Sequence, residues 1–234
     1  MSAFSQNCRR TNTEFELMNY QKILTKLNVS IFFIWLFHVS GIIGIIYTNA
    51  SWFIGATPIN LLLSFFLLLI NTKLNKNAFF MILSCFTFGM FAEILGVHYG
   101  TIFGDYNYGS VLGFKFMDVP LLIGINWCIL IFITGSIAQF FTNSFWYKTI
   151  LGVGLMLTLD LVIEPIAPIL DYWTFDDGVA SFHNYIGWAL VALPLQIAFH
   201  KSKIQIEGAY PLNLYILQFL FFTILLIKIN SIGI

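Results

Sequence analysis

The chain has 234 residues, 59% of them hydrophobic and 9% charged, with a formal net charge of zero. A soluble domain carries roughly a quarter charged residues. This composition, with a mean hydropathy of +0.84, therefore excludes an ordinary soluble fold and points to an integral membrane protein. The neutral balance offers no basic surface for nucleic acid, and Cys8, Cys85 and Cys128, scattered without CxxC spacing, argue against a disulfide framework or a zinc site.

In chain order, residues 1–27 are polar, contain Arg9, Arg10, Lys22 and Lys26, and lack the apolar core of a cleavable signal. Seven apolar segments follow, at 28–47, 52–70, 77–97, 119–140, 148–167, 185–200 and 210–229. Each is close to the roughly 20 residues a span needs. The sixth is the shortest, and Pro194 within it predicts a kink. The expected fold is all-α: a polytopic membrane helix bundle of about seven transmembrane helices, 28–234, behind a polar cytoplasmic segment, 1–27.

Orientation follows from the basic residues. With the N-terminus inside, the inner segments hold Arg9, Arg10, Lys22, Lys26, Lys73, Lys76, Lys148, Lys201 and Lys203, and the outer ones only Lys115 and Lys228. That bias places the N-terminus in the cytoplasm. The outer loops are instead acidic, with Asp105 and Asp118 in one and Asp171, Asp176 and Asp177 in the other.

The fifth span contains the stretch LTLDLVIEP, in which Asp160 and Glu164 stand four residues apart. On a helix that spacing puts both carboxyl groups on one face, one turn apart. A carboxylate near the bilayer interior costs about 2.5–3.5 kcal/mol on insertion scales, so two on one face indicate a functional site. Apolar surroundings raise a carboxyl pKa, and a like neighbour raises one of a pair further. Such a group stays protonated near neutrality and serves as a general acid. The structural alternative is hydrogen bonding to neighbouring helices, or capping of the break at Pro165. By helical rise Asp160 lies roughly 18 Å into its span and Glu164 roughly 24 Å, and Glu93 on the third span reaches a similar depth.

Glu93 lies in FAEILGVHYGTIFGDYNYG, which also holds His98, Asp105, Tyr106 and Tyr108. Glycines 96, 100, 104 and 109 suggest tight turns or close approach. Tyr106 and Tyr108 by themselves fit an interfacial aromatic belt, as do Trp173, Tyr185 and Trp188 in DYWTFDDGVASFHNYIGW. His183 and Asn184 are candidates for the mouth of a site. In the fourth span, Asn126 is a candidate for an interhelical hydrogen bond and Trp127 for packing; His38 in the first span reads as a packed residue.

Several chemistries are missing. The histidines at 38, 98, 183 and 200 form no cluster, against a di-iron hydroxylase or desaturase. There is no NDxxD or DDxxD pair, no P-loop and no GxGxxG. Lys228, at the far end of the last span, is poorly placed for a retinal Schiff base. No metal and no redox cofactor is expected.

EILGVHYGTIFGDYNYG, VPLLIGINW, LDLVIEPIAP, DYWTF and HNYIGW, in this order, resemble the membrane carotenoid hydratase family, over roughly residues 85–190. That family includes bisanhydrobacterioruberin hydratase and the gamma-carotene or lycopene 1,2-hydratases. The resemblance implies a carotenoid biosynthesis enzyme, multi-pass in a cell membrane such as a bacterial inner membrane. It implies addition of water to the terminal C1–C2 double bond of an acyclic carotenoid end, giving a tertiary alcohol, with carotenoid, water and lipid as partners. Contact with other carotenoid biosynthesis enzymes is a further expectation.

Such a hydration protonates the less substituted carbon and captures a tertiary cation with water. The chemistry then suggests roles. Asp160 or Glu164 donates the proton, with the other as its partner, and Glu93 orients water or stabilises the cation. The faces of Trp127 or Trp188 stabilise the cation. Asp105, Tyr108, His183 and Asn184 shape the mouth, and Asn126 lies beside the substrate. Two alternatives remain. A carotenoid end-group cyclase shares the protonation step but lets the polyene capture the cation. A proton-coupled transporter or lipid-binding membrane protein would use the acids as a relay.

Overall fold

The computed structural model describes residues 25–232. Of the polar N-terminal segment, Arg9, Arg10, Lys22 and Cys8 lie outside the described residues. The described chain forms eight helices: α1 Lys26–Tyr47, α2 Ala50–Gly55, α3 Thr57–Ile70, α4 Lys76–Tyr99, α5 Leu121–Phe141, α6 Phe145–Ile163, α7 Phe182–Ser202 and α8 Tyr210–Ile232. Of these, α1, α4, α5, α6 and residues 210–228 of α8 are long and apolar enough to cross a membrane. The protein is an all-α polytopic membrane bundle.

Local chemistry sets the boundaries. The Thr25 and Asn75 side chains accept from the amides of Asn28 and Ala78 and cap α1 and α4. The apolar run 52–70, expected as one span, is instead two helices. Gly55 and Ala56 end α2, and Pro58 opens α3, because proline has no N–H to continue the preceding helix but suits a first turn. The helix expected over 148–167 is displaced instead, to Phe145–Ile163. It stops at Ile163 with Glu164 as its cap, and Pro165 and Pro168 turn the chain. By contrast α7 continues through Pro194.

Helix α5 is apolar on every side and sits at the centre, packed against α3, α4, α6, α7 and α8. Loops gather at two ends of the bundle. At one, the Lys26 ammonium meets Glu207 at 3.1 Å, and the Glu207 amide donates to Asn71 O at 2.7 Å. At the other, the α4–α5 and α6–α7 connections pair through two short antiparallel strands, β1 Tyr106–Tyr108 and, in chain order the last, β4 Trp173–Phe175. A hairpin of β2 Lys115–Phe116 and β3 Val119–Pro120 lies beside them. Asp171 fastens this end: its Oδ2 accepts from the Ser110 hydroxyl at 2.7 Å and from the Ser110 and Val111 amides at 2.8 and 3.1 Å.

A carboxyl site under a strand-built roof

Helix α4 ends at Gly100, which takes the left-handed conformation at φ 62°. The chain can therefore turn back over its own last turns. Gly96 leaves room for this return, since a Cβ there would stand 2.8 Å from the Phe103 ring and 2.9 Å from the Tyr106 hydroxyl. Side chains alternate along a strand, so Tyr106 and Tyr108 share one face of β1. Their partners across the ladder are Phe175 and Trp173, which project to the same side. Four rings thus form a roof over the ends of α4 and α6.

Beneath the roof lie three buried acids. Glu93, Asp160 and Glu164 are only 4%, 3% and 7% exposed. Glu93 accepts from the Tyr106 and Tyr108 hydroxyls on Oε2, at 2.6 and 2.7 Å, and from the Trp127 indole on Oε1, at 2.9 Å. Three donors meet this carboxyl group and none of these contacts asks it for a hydrogen, the arrangement an ionised carboxylate needs. Burial, then the Glu93 charge, pushes the Tyr106 and Tyr108 phenols well above their usual value, so both stay donors.

The other two acids share one amide. Asn184 Nδ2 donates to Asp160 Oδ2 at 3.1 Å and to Glu164 Oε1 at 2.9 Å. The Trp173 indole donates to Glu164 Oε2 at 3.0 Å. Among the described residues Lys26 pairs with Glu207 and the His98 imidazole lies 3.8 Å from Asp118, and neither contact reaches these acids. Nor, among the described residues, do three His, Cys, Asp or Glu side chains stand close enough to hold a metal ion.

Glu93 and Glu164 border a small hollow, and a larger cavity lies next to it. A hollow of about 20 Å³ is lined by Glu93, Glu164, Asn126, Asn184 and the rings of the roof, with Trp127 and Trp188. Those two indoles stack at 4.5 Å and 19°. Gly89 makes space for them, because a Cβ there would lie 2.5 Å from Trp127 Cγ. Ile123, Asn126 and Trp173 form a wall common to this hollow and a mainly apolar cavity of about 340 Å³. The cavity extends between α1, α3 and α8 to His38, Ser64 and Phe221, with the exposed Phe37 and Trp52 on its rim.

The fold therefore brings Glu93, Asp160, Glu164, Tyr108, Trp127, Asn126, Asn184 and Trp188 together. Two expected residues do not belong. Asp105 is exposed beside Gly100, and His183 is exposed with Nε2 3.0 Å from Thr101 O. Each precedes a site residue by one position. On a strand that step faces the opposite side, and on a helix it is turned by roughly 100°. Tyr106, Trp173 and Phe175 line the site although the sequence suggested belt or no role. The usable signal was the period-two spacing in YNY and WTF. His38 is buried, as expected of a packed residue, and also lines the large cavity.

A family profile described as carotenoid biosynthesis protein matches residues 52–233. No curated protein and no solved structure matches the chain.

Proposed function

The chain belongs to the carotenoid biosynthesis protein family, and on that premise we propose that it hydrates the terminal C1–C2 double bond of an acyclic carotenoid end. One juxtaposition carries the reading: an apolar cavity of about 340 Å³ shares a wall with an acid-lined hollow of about 20 Å³. A water needs roughly 10–15 Å³ of such space and two to four polar partners. The hollow suits one water, and the cavity suits the end of a polyene whose remainder lies in lipid. We read the end of the bundle that holds Lys26 and Lys73 as the cytosolic one, which places the site in the outer half of the membrane.

Glu164 lines the hollow and Asp160 stands behind it at the shared amide. Two negative charges at one amide repel in a low dielectric, so this pair holds a proton. Glu164 delivers it to the less substituted alkene carbon, and a tertiary cation forms. The ionised Glu93 and the faces of Trp127 and Trp188 stabilise the cation. Water attacks it, and the proton that water sheds returns to the carboxyl pair. No net proton is consumed. The one-water hollow favours hydration over cyclisation, in which the polyene itself captures the cation.

The test is product analysis in cells that make an acyclic-ended carotenoid. Hydration adds the mass of one water per end, and cyclisation leaves the mass unchanged. Full activity in both Asp160→Asn and Glu164→Gln would remove the proposed acid.

A further inference from the structure

Around the hollow, the polar side chains are mostly committed to one another. Both tyrosine hydroxyls and the Trp127 indole serve Glu93, the Trp173 indole serves Glu164, and Asn184 serves Asp160 and Glu164. Asn126 differs. It sits in the second turn of the central α5, on the wall common to hollow and cavity, and its side-chain amide makes no hydrogen bond among the described residues. A partly buried amide without a partner is unfavourable, and an apolar side chain of similar size would pack there at less cost. Its C=O and NH₂ together offer a water one acceptor and two donors.

We infer that Asn126 holds the attacking water and decides what becomes of the cation; the inference rests on the hydration reading. The Asn126 carbonyl takes one O–H of the water and leaves an oxygen lone pair directed at the cation from the hollow side. Capture forms the C–O bond, and the other O–H gives its proton to the carboxyl pair. Without a held water, the cation instead loses a proton from a neighbouring carbon to the same carboxyl pair. The released electron pair then forms a new double bond, and the product is an alkene of unchanged mass. Asn126 thus sets the partition between alcohol and rearranged or recovered alkene, while protonation is left to Glu164.

The experiment incubates membranes containing the full chain with an acyclic-ended carotenoid in deuterated, ¹⁸O-labelled water. It reads the ratio of alcohol carrying ¹⁸O to alkene carrying deuterium without oxygen. That ratio is independent of how much protein folds. Asn126→Leu should lower it at least tenfold, and Asn126→Ser, smaller but still polar, should fall between Leu and wild type. If Asn126→Leu does not accumulate, a lowered ratio in Asn126→Ser supports the inference, and an unchanged one overturns it. An unchanged ratio in Asn126→Leu overturns the inference alone. A wild-type chain that takes up no oxygen overturns the hydration reading, and the inference with it.

Discussion

The Trp127 indole on α5 reaches across to Glu93 on α4 and donates to Oε1 at 2.9 Å. It thereby ties the most buried helix to the acid that lies under the tyrosine roof. A hydrogen bond to a charged group contributes about 1.5–3 kcal/mol. Trp127→Phe keeps an aromatic face but removes the N–H. It should cost the fold about 1.5–3 kcal/mol and lower the melting temperature, and it should lower turnover per folded molecule at least about tenfold. Comparing product formation with thermal denaturation in detergent checks this.

Asn184 supplies both its hydrogens to the carboxyl pair. Asn184→Leu leaves Asp160 and the Oε1 of Glu164 without that donor. Activity should drop by about 5–160-fold, the cost of one unsatisfied buried group at about 1–3 kcal/mol. A rate within twofold of wild type in a properly folded variant would refute the bridge as a functional element.

Gly187 and Gly154 form a contrasting pair. A Cβ at Gly187 would meet the Ile102 carbonyl oxygen at 2.0 Å, whereas one at Gly154 meets nothing within 4 Å. Backbone cannot swing aside as a side-chain tip can. Gly187→Ala should destabilise by about 1–3 kcal/mol, and Gly154→Ala, in a helix, should stabilise by about 0.5–1 kcal/mol. Melting temperatures of the two variants should move in opposite directions.

Asp171 lies outside the spans, and its hydrogen bonds from Ser110 hold its carboxyl below the usual range. A depressed acid contributes stability above its unfolded value, about 3.9, and loses that contribution as pH falls through the lower folded value. The clasp between the α4–α5 and α6–α7 loops should therefore be unchanged over about pH 5–8 and open only in stronger acid. Asp171→Ala should open it at neutral pH. Faster amide exchange at Ser110 and Val111 reports the opening, and equal exchange in wild type and variant would contradict it.

Much of the site could be read from residue spacing, and the failures have geometric causes. The i, i+4 interval placed Asp160 and Glu164 on one face, and that face is the one packed inward, whereas Leu161 between them is exposed. Trp173 was hidden because its role depends on the β1–β4 register, a pairing of two distant loops that no local pattern specifies. Asp105 and His183 sat one position from site residues, where nearness in sequence means the wrong face.

Composition and apolar periodicity by themselves determined that the chain lives in a membrane as helices and that its buried acids need a purpose, because water, lipid and backbone impose those choices residue by residue. Only the tertiary structure decided which donor meets which carboxyl group and that a hollow of about 20 Å³ beside Glu93 and Glu164 adjoins an apolar cavity. Those contacts join α4, α5, α6, α7 and two loops, and their geometry comes from long-range packing that single positions do not encode.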